Sequence, residues 1–349
     1  MQEQKRVSVK DIAARLHVSL STVHKALTGK PGVSEARRQE ILTAAEEMGY
    51  VVNDVAQSLS RKDIHIGIIM PSRWPEYFDQ MKSGMAAQIE SLQAHKVSGF
   101  FYAISSELSA GNTRQLLEWI VENEIDAILC CPSLYSISPS VIHALDQTGR
   151  PVFWVGGGVG NPLSVSDITI DAPLCGRLAA DFLTCAVPSP VKAAVFTGSM
   201  GIDVHRGKAE AFSDRIRSAG GEVLAICETG DDPDRAAAAV EELFRIHSGI
   251  NAIYVSTSMS EPVCRYLAQH GLAGTVRLLG TDLFDVLKDY MNQGVMQATI
   301  CQNQEQVGQA AVQCAYEYLS KRSSYGNTDW LPDRQILIRP TLLLRANIE

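Results

Sequence analysis

From residue 64 onward the chain alternates short, unbroken apolar runs with stretches of helical periodicity. That alternation limits the fold more than any other feature. The runs fall at residues 64–70, 98–104, 126–131, 151–155, 193–198, 225–228, 251–256, 277–280 and 297–300. A strand exposed on one face alternates apolar with polar residues, whereas a run apolar throughout belongs to a strand covered on both faces. The pattern predicts parallel sheets with helices on either side, and a body this long predicts two of them. In open α/β sheets a ligand lies beyond the carboxyl ends of the strands. Two such sheets facing each other would line a cleft with those ends. No internal repeat or composition break marks where one sheet gives way to the other.

Several chemistries are disfavoured early. No apolar run approaches the ~20 residues of a membrane span, and the start, MQEQKRVSVKD, lacks the apolar stretch of a secretory signal. A soluble, cytoplasmic chain with no membrane partner is expected. Its eight cysteines include no CxxC pair and lie mostly in apolar segments, which suits buried, reduced thiols. Cys130 and Cys131 would face opposite sides of one strand. The histidines show no zinc spacing and no G-K-[ST] phosphate loop is present, so neither metal nor cofactor is expected. Gly156, Gly157, Gly158 and Gly160 follow an apolar run, but Asn161 breaks the dinucleotide fingerprint. Thr197-Gly198-Ser199-Met200-Gly201 resembles a nucleophile elbow with His205 as a conceivable base, which keeps a serine hydrolase as a remote alternative. Asp232 and Pro233 read as the cap and first position of a helix.

Charge separates the first sixty residues from the rest. Residues 1–62 hold 10 Lys/Arg against 7 Asp/Glu, while the whole chain carries a net −8. A basic head on an acidic body suits a head that meets a polyanion. Ser8 and Asp11 form a capping box, and Ile12, Ala13 and Leu16 follow at helical spacing. Ser19 caps a second short helix with Val23, Ala26 and Leu27 inward. Ser34 caps a third with Ile41, Leu42 and Ala45 inward. Three short helices with a tight turn between the first two form the helix-turn-helix pattern, in which the second helix enters the DNA major groove.

Residues 7–60 resemble the DNA-binding head of the lactose/galactose repressor family. The matching motifs are V-x-D-I-A, V-S-x-x-T-V, V-S-x-x-x-R, G-Y and N-x-x-A-x-x-L, in order. The resemblance implies that Leu20 and Ser21 read bases with Lys25 beside them, and that Thr22, Ser34 and Asn53 anchor phosphates. It implies further that residues 53–62 form a hinge helix in the minor groove, with Ala56 on it and Leu59 wedged between central base pairs. A helix of two turns is unstable alone in water, so the hinge would form only against DNA and a second copy. The sequence departs from the family at His17, where glycine is usual, at Lys25, where arginine is frequent, at His24, which replaces a small hydroxyl residue, and at Val52, which replaces a proline.

The body resembles, more loosely, the periplasmic sugar-binding fold that serves this family as an effector domain. The expected architecture is an all-α head of residues 1–52, the hinge, and an α/β body of residues 63–349. The resemblance implies two body subdomains with crossovers near residues 170, 298 and 328: about 63–170 with 298–328, and about 171–297 with 329–349. Strand ends nominate Trp74, Tyr77, Phe78, Ser133, Asp171, Arg206, Lys208, Thr257, Asp282 and Gln302 as cleft residues. Aromatic faces, carboxylates and amides in that mixture suit a sugar or similar polyol. Gly280-Thr281-Asp282 matches a family G-x-D whose acid contacts ligand, Lys208 stands where an arginine is usual, and Ser256-Thr257 replaces an Asn-Asp. The expected protein is a homodimeric transcriptional regulator of double-stranded operator DNA, responsive to a sugar-like effector and not an enzyme. The competing reading is a cytosolic sugar-binding protein whose head contacts another protein. The strand-like end, ILIRPTLLLRANIE, carries no leucine heptad, so no separate tetramerisation segment is expected.

Overall fold

The computed structural model describes residues 7–27, 32–48, 62–72, 75–104, 110–131, 139–157, 164–188, 190–325 and 331–348. The head is three helices, α1 (Val9–Leu16), α2 (Leu20–Leu27) and α3 (Glu35–Glu47). Ile12, Ala13, Val23, Ala26, Ile41 and Ala45 make its core. Leu42 was expected inward but is exposed: α3 turns Ile41, Ala44 and Ala45 to the core instead, and its next position faces water. His17 ends α1 in the left-handed region (φ 51°), the conformation that lets a residue other than glycine hold the tight turn. Arg37 donates to the Leu16 carbonyl (3.3 Å), a cation at the end of α1 that suits the helix dipole.

The body contains two six-stranded sheets. In the first, β1 (Ile64–Pro71), β2 (Val97–Ile104), β3 (Ala127–Cys130), β4 (Val152–Val155), β5 (Ser164–Ile170) and β11 (Gln335–Ile338) lie in the order 2-1-3-4-5-11, all parallel. In the second, β6 (Lys192–Thr197), β7 (Glu222–Glu228), β8 (Ala252–Val255), β9 (Arg277–Thr281), β10 (Ala298–Cys301) and β12 (Thr341–Leu344) lie in the order 7-6-8-9-10-12, and only β12 is antiparallel to its neighbour. Each sheet has a buried cluster on both faces, which is why its central strands are apolar without alternation. Cys130 and Cys131 show this directly, since they enter clusters on opposite faces. All eight cysteines are free; Cys185 is exposed and Cys227 and Cys301 are partly so, against the expectation of general burial.

Strand β5 escaped the sequence reading because SVSDITI carries polar residues. They are used locally: Ser166 Oγ donates to the Asp333 carbonyl (2.6 Å), beside β11. The second and third crossovers also come later than the expected 298 and 328. Ala298–Cys301 still pairs within the second sheet, and Gln335–Ile338 still pairs within the first. The chain therefore passes between lobes at Asp171, at residues 302–303 and at residues 339–340. These passages are tied together: Asp171 N–H donates to the Ile338 carbonyl (2.9 Å), and Asn303 Nδ2 donates to the Arg339 carbonyl (2.8 Å) and Thr341 Oγ1 (3.1 Å).

The helix after the second crossover, α12 (Gln304–Tyr325), is locked to the first lobe through α4 (Pro75–Ser91). A Cβ on Gly308 would stand 2.2 Å from the Met81 carbonyl oxygen, and one on Gly84 would stand 2.1 Å from that of Glu305. Only glycine permits backbones this close. The first residue of α12 therefore moves with the first lobe.

Candidate ligand cleft and DNA-reading face

On α2 the buried residues are Val23 and Ala26, which turns Leu20, Ser21 and His24 outward. Leu20 is 48% exposed. Ser19 Oγ accepts the Thr22 N–H (3.0 Å) and lies 2.8 Å from the Thr22 hydroxyl, so Ser19 caps α2 and Thr22 is tied to that cap. Lys25 is half-buried with its ammonium beside Gly32, where a Cβ would stand 3.5 Å away. Ser34 Oγ accepts the Arg37 N–H (3.4 Å) as the cap of α3. Asn53, Ala56 and Leu59 lie outside the described residues, as do Trp74 and Ser133.

In the body, one buried network joins the ends of several strands. Lys208 on α8 (Asp203–Ser218) is only 1% exposed; its Nζ donates to the Ser256 carbonyl (3.0 Å) and to Gln302 Oε1 (2.6 Å). Gln302 Nε2 donates to Asp282 Oδ2 (2.7 Å), so the amide bridges ammonium and carboxylate. Asp282 also accepts from Ser258 Oγ (2.9 Å) and Gln304 Nε2 (2.7 Å). Its backbone is held at φ 63°, a conformation that few residues other than glycine adopt and that is typical of sites where function sets geometry. Burial raises the Asp282 carboxyl above the usual range, while Lys208 and the hydrogen bonds pull it down.

The other nominated residues divide. Tyr77 is close enough to Asp282 to feel its charge; burial first, then that charge, push its phenol upward. Phe78 meets Tyr77 edge-on (centroids 5.0 Å apart) and packs on the first-lobe core. Thr257 is buried, with its hydroxyl against the Asp231 carboxylate. Asp171 spends one oxygen capping α7 (Ala172–Ala186), accepting the Leu174 N–H (2.9 Å). Arg206 pairs with Asp203 and the Met200 carbonyl and shares no bond with the network.

Ser258, Gln304, Asp231 and His205 were missed as cleft residues. Gln304 follows Gln302 by two positions and could have been found by the same strand-end rule. His205 Nδ1 accepts the Ser199 backbone N–H (3.1 Å), and its Nε2 lies 3.9 Å from Asp231. Burial first, then the Lys208 ammonium, push the ring down to about 3. The Ser199 hydroxyl instead accepts the Gly201 N–H (3.2 Å). In this geometry the His205 ring is hydrogen-bonded to the Ser199 backbone and not to its hydroxyl. Asp232 does cap α9 (Pro233–Ile246), with Pro233 first in the helix.

Residues 8–53 match the model of bacterial regulatory proteins, lacI family, and residues 66–323 match the periplasmic binding protein domain. The chain belongs, over most of its length, to the periplasmic binding protein domain family, and its head matches the lacI family. The chain is 22% identical to the catabolite control protein A of Priestia megaterium, over 94% of this chain and 97% of that one. It is equally 22% identical to the ribose operon repressor of Haemophilus influenzae, over 98% of each. Its fold is that of a glucose-galactose binding protein from Geobacillus stearothermophilus (TM-score 0.69, 17% identity, 82% of this chain and 99% of that one). A periplasmic solute binding protein from Actinobacillus succinogenes with bound D-allose is similar in fold (TM-score 0.69, 18% identity, 81% and 98%). No helix among the described residues is long and apolar enough to cross a membrane.

Proposed function

We propose that this chain is a sequence-specific transcriptional regulator, a repressor in its simplest form. Its operator affinity is set by a sugar or sugar derivative held between the two body lobes. The observation that carries the reading is one chain holding both a helix-turn-helix with an outward Leu20 and Ser21 and a buried polar network where the two body lobes meet. The relatives' names, a ribose operon repressor among them, support both halves. In this reading Leu20, Ser21 and Lys25 face base edges, and Thr22, Ser34 and Asn53 face phosphates. Two copies work in the cytoplasm, placing their α2 helices in successive major grooves. Lobe closure changes the spacing of the hinges, and a coupling of ~1–3 kcal/mol is enough to change DNA affinity 5–150-fold.

Selection of duplexes from a random pool at physiological salt tests it, with and without added sugars. A pseudo-palindrome with a fixed centre is the expected result; no preferred sequence under either condition would refute it. With the selected duplex in hand, Leu59→Ala is expected to weaken specific binding by about tenfold or more, roughly 1.4 kcal/mol. Binding to scrambled DNA should hardly change, because a wedge acts only where the duplex is kinked. Fluorescence anisotropy on both duplexes reads this, and equal losses on the two would remove Leu59 from the minor groove.

A further inference from the structure

Asp282 has little acceptor capacity left for a ligand. Gln302 N–H (3.3 Å) and Gln304 Nε2 (2.7 Å) occupy Oδ1; Ser258 Oγ (2.9 Å) and Gln302 Nε2 (2.7 Å) occupy Oδ2. A carboxylate accepts about four hydrogen bonds, so a ligand hydroxyl would have to displace one of these. The same bonds fix both amides. Gln302 must turn its NH₂ to Asp282 and its oxygen to Lys208. Gln304 must turn its NH₂ to Asp282, which leaves Gln304 Oε1 buried without a partner on a residue 1% exposed. Buried polar atoms are satisfied as a rule, and an exception calls for a donor from elsewhere. Gln304 begins the first-lobe helix α12 while Asp282 directly follows the second-lobe strand β9. The vacant acceptor thus sits at the seam where the lobes part.

Charge narrows the chemistry. Lys208 brings one positive charge to this network, against the carboxylates of Asp282 and Asp231. His205 brings none among these groups, since an Nδ1 that accepts an N–H belongs to a neutral ring. Arg206 is engaged with Asp203. A phosphate or carboxylate group would offer Gln304 Oε1 no proton and, among the described residues, would add negative charge where carboxylates outnumber cations.

Resting on the carbohydrate reading above, we propose that the cleft takes an uncharged, hydroxyl-bearing ligand, read by the Gln304 amide oxygen and not by the Asp282 carboxylate. The ligand's hydroxyl reaches that oxygen when the lobes separate and is enclosed when they close. Selection against phosphorylated sugars then follows from the same site.

The test is calorimetric titration of the full chain with D-ribose, D-glucose, D-galactose and D-allose, each against its terminal phosphate ester. A neutral sugar should bind, with its ester at least tenfold weaker. An ester binding as well as or better than its parent would overturn the assignment while leaving the carbohydrate reading intact. Binding of neither class would refute both. For the sugar that binds, one monodeoxy analogue should lose tenfold or more on the native chain. Gln304→Met should lose a similar factor for the parent sugar and nothing further for that analogue. Full affinity for every monodeoxy analogue on the native chain would overturn the role of Gln304 without recourse to a variant.

Discussion

Asp282→Ala should cost the body about 3–5 kcal/mol, the range in which removal of one member of a buried charged network falls. The loss has two parts. The side chains of Ser258, Gln302 and Gln304 would lose the acceptor they share, and each unsatisfied buried donor costs about 1–3 kcal/mol before relaxation. Lys208 would also keep its ammonium in a site 1% exposed, with the nearest balancing carboxylate gone from the Gln302 bridge. Asp282→Asn keeps one acceptor oxygen and should cost less. Urea unfolding of the full chain, followed by tryptophan fluorescence and circular dichroism, measures both. A cost for alanine under about 1 kcal/mol would mean that the network relaxes easily or that water replaces the carboxylate.

The second large effect is on the acid side of stability. His205 is neutral in the folded chain, with its ring pushed down to about 3 by burial and by Lys208, while an unfolded histidine titrates near 6.5. A group with that displacement contributes stability that is complete above about 6.5 and is lost as pH falls toward 3. The loss reaches about 1.4 kcal/mol per pH unit at its steepest. Asp282 and Asp231 work in the opposite sense: burial raises both, so each favours the folded state as pH falls through its raised value. The native chain alone mixes these contributions, but a comparison separates them. The difference in unfolding free energy between the native chain and His205→Asn should shrink steadily from pH 7 to pH 4. A difference independent of pH over that range would show that the ring is not held neutral.

The two lobes illustrate what could be read without coordinates. Nine apolar runs located nine strands because a strand covered on both faces has no polar side to interrupt it. Ser164–Ile170 was invisible for the converse reason, since its polar residues serve a contact with the returning segment at Asp333. The lobes share a strand order, yet no repeat is visible in sequence. Parallel sheets ask only for apolar strands and amphipathic helices of suitable length, which many unrelated sequences supply. The crossovers were misplaced by several residues because sheet membership depends on pairing between distant segments, such as Gln335–Ile338 with β5.

The candidate site was legible in part. Lys208, Thr257, Asp282 and Gln302 were named from strand ends, and the structure brings Lys208, Asp282 and Gln302 into one network. Arg206, two residues away on the same helix, was named with equal reason and pairs with Asp203 at the surface instead. By itself the sequence determined the helix-turn-helix, its caps and the left-handed turn at His17, because these depend on contacts within a few residues. It also determined that the body is built of covered parallel sheets, because burial on two faces is written into the central strands. Only the tertiary structure decided which carboxylate is already satisfied, which amide oxygen is left without a donor and which lobe each belongs to. Those properties are set by residues distant in the chain, Lys208, Ser258, Asp282, Gln302 and Gln304, meeting in a largely buried network.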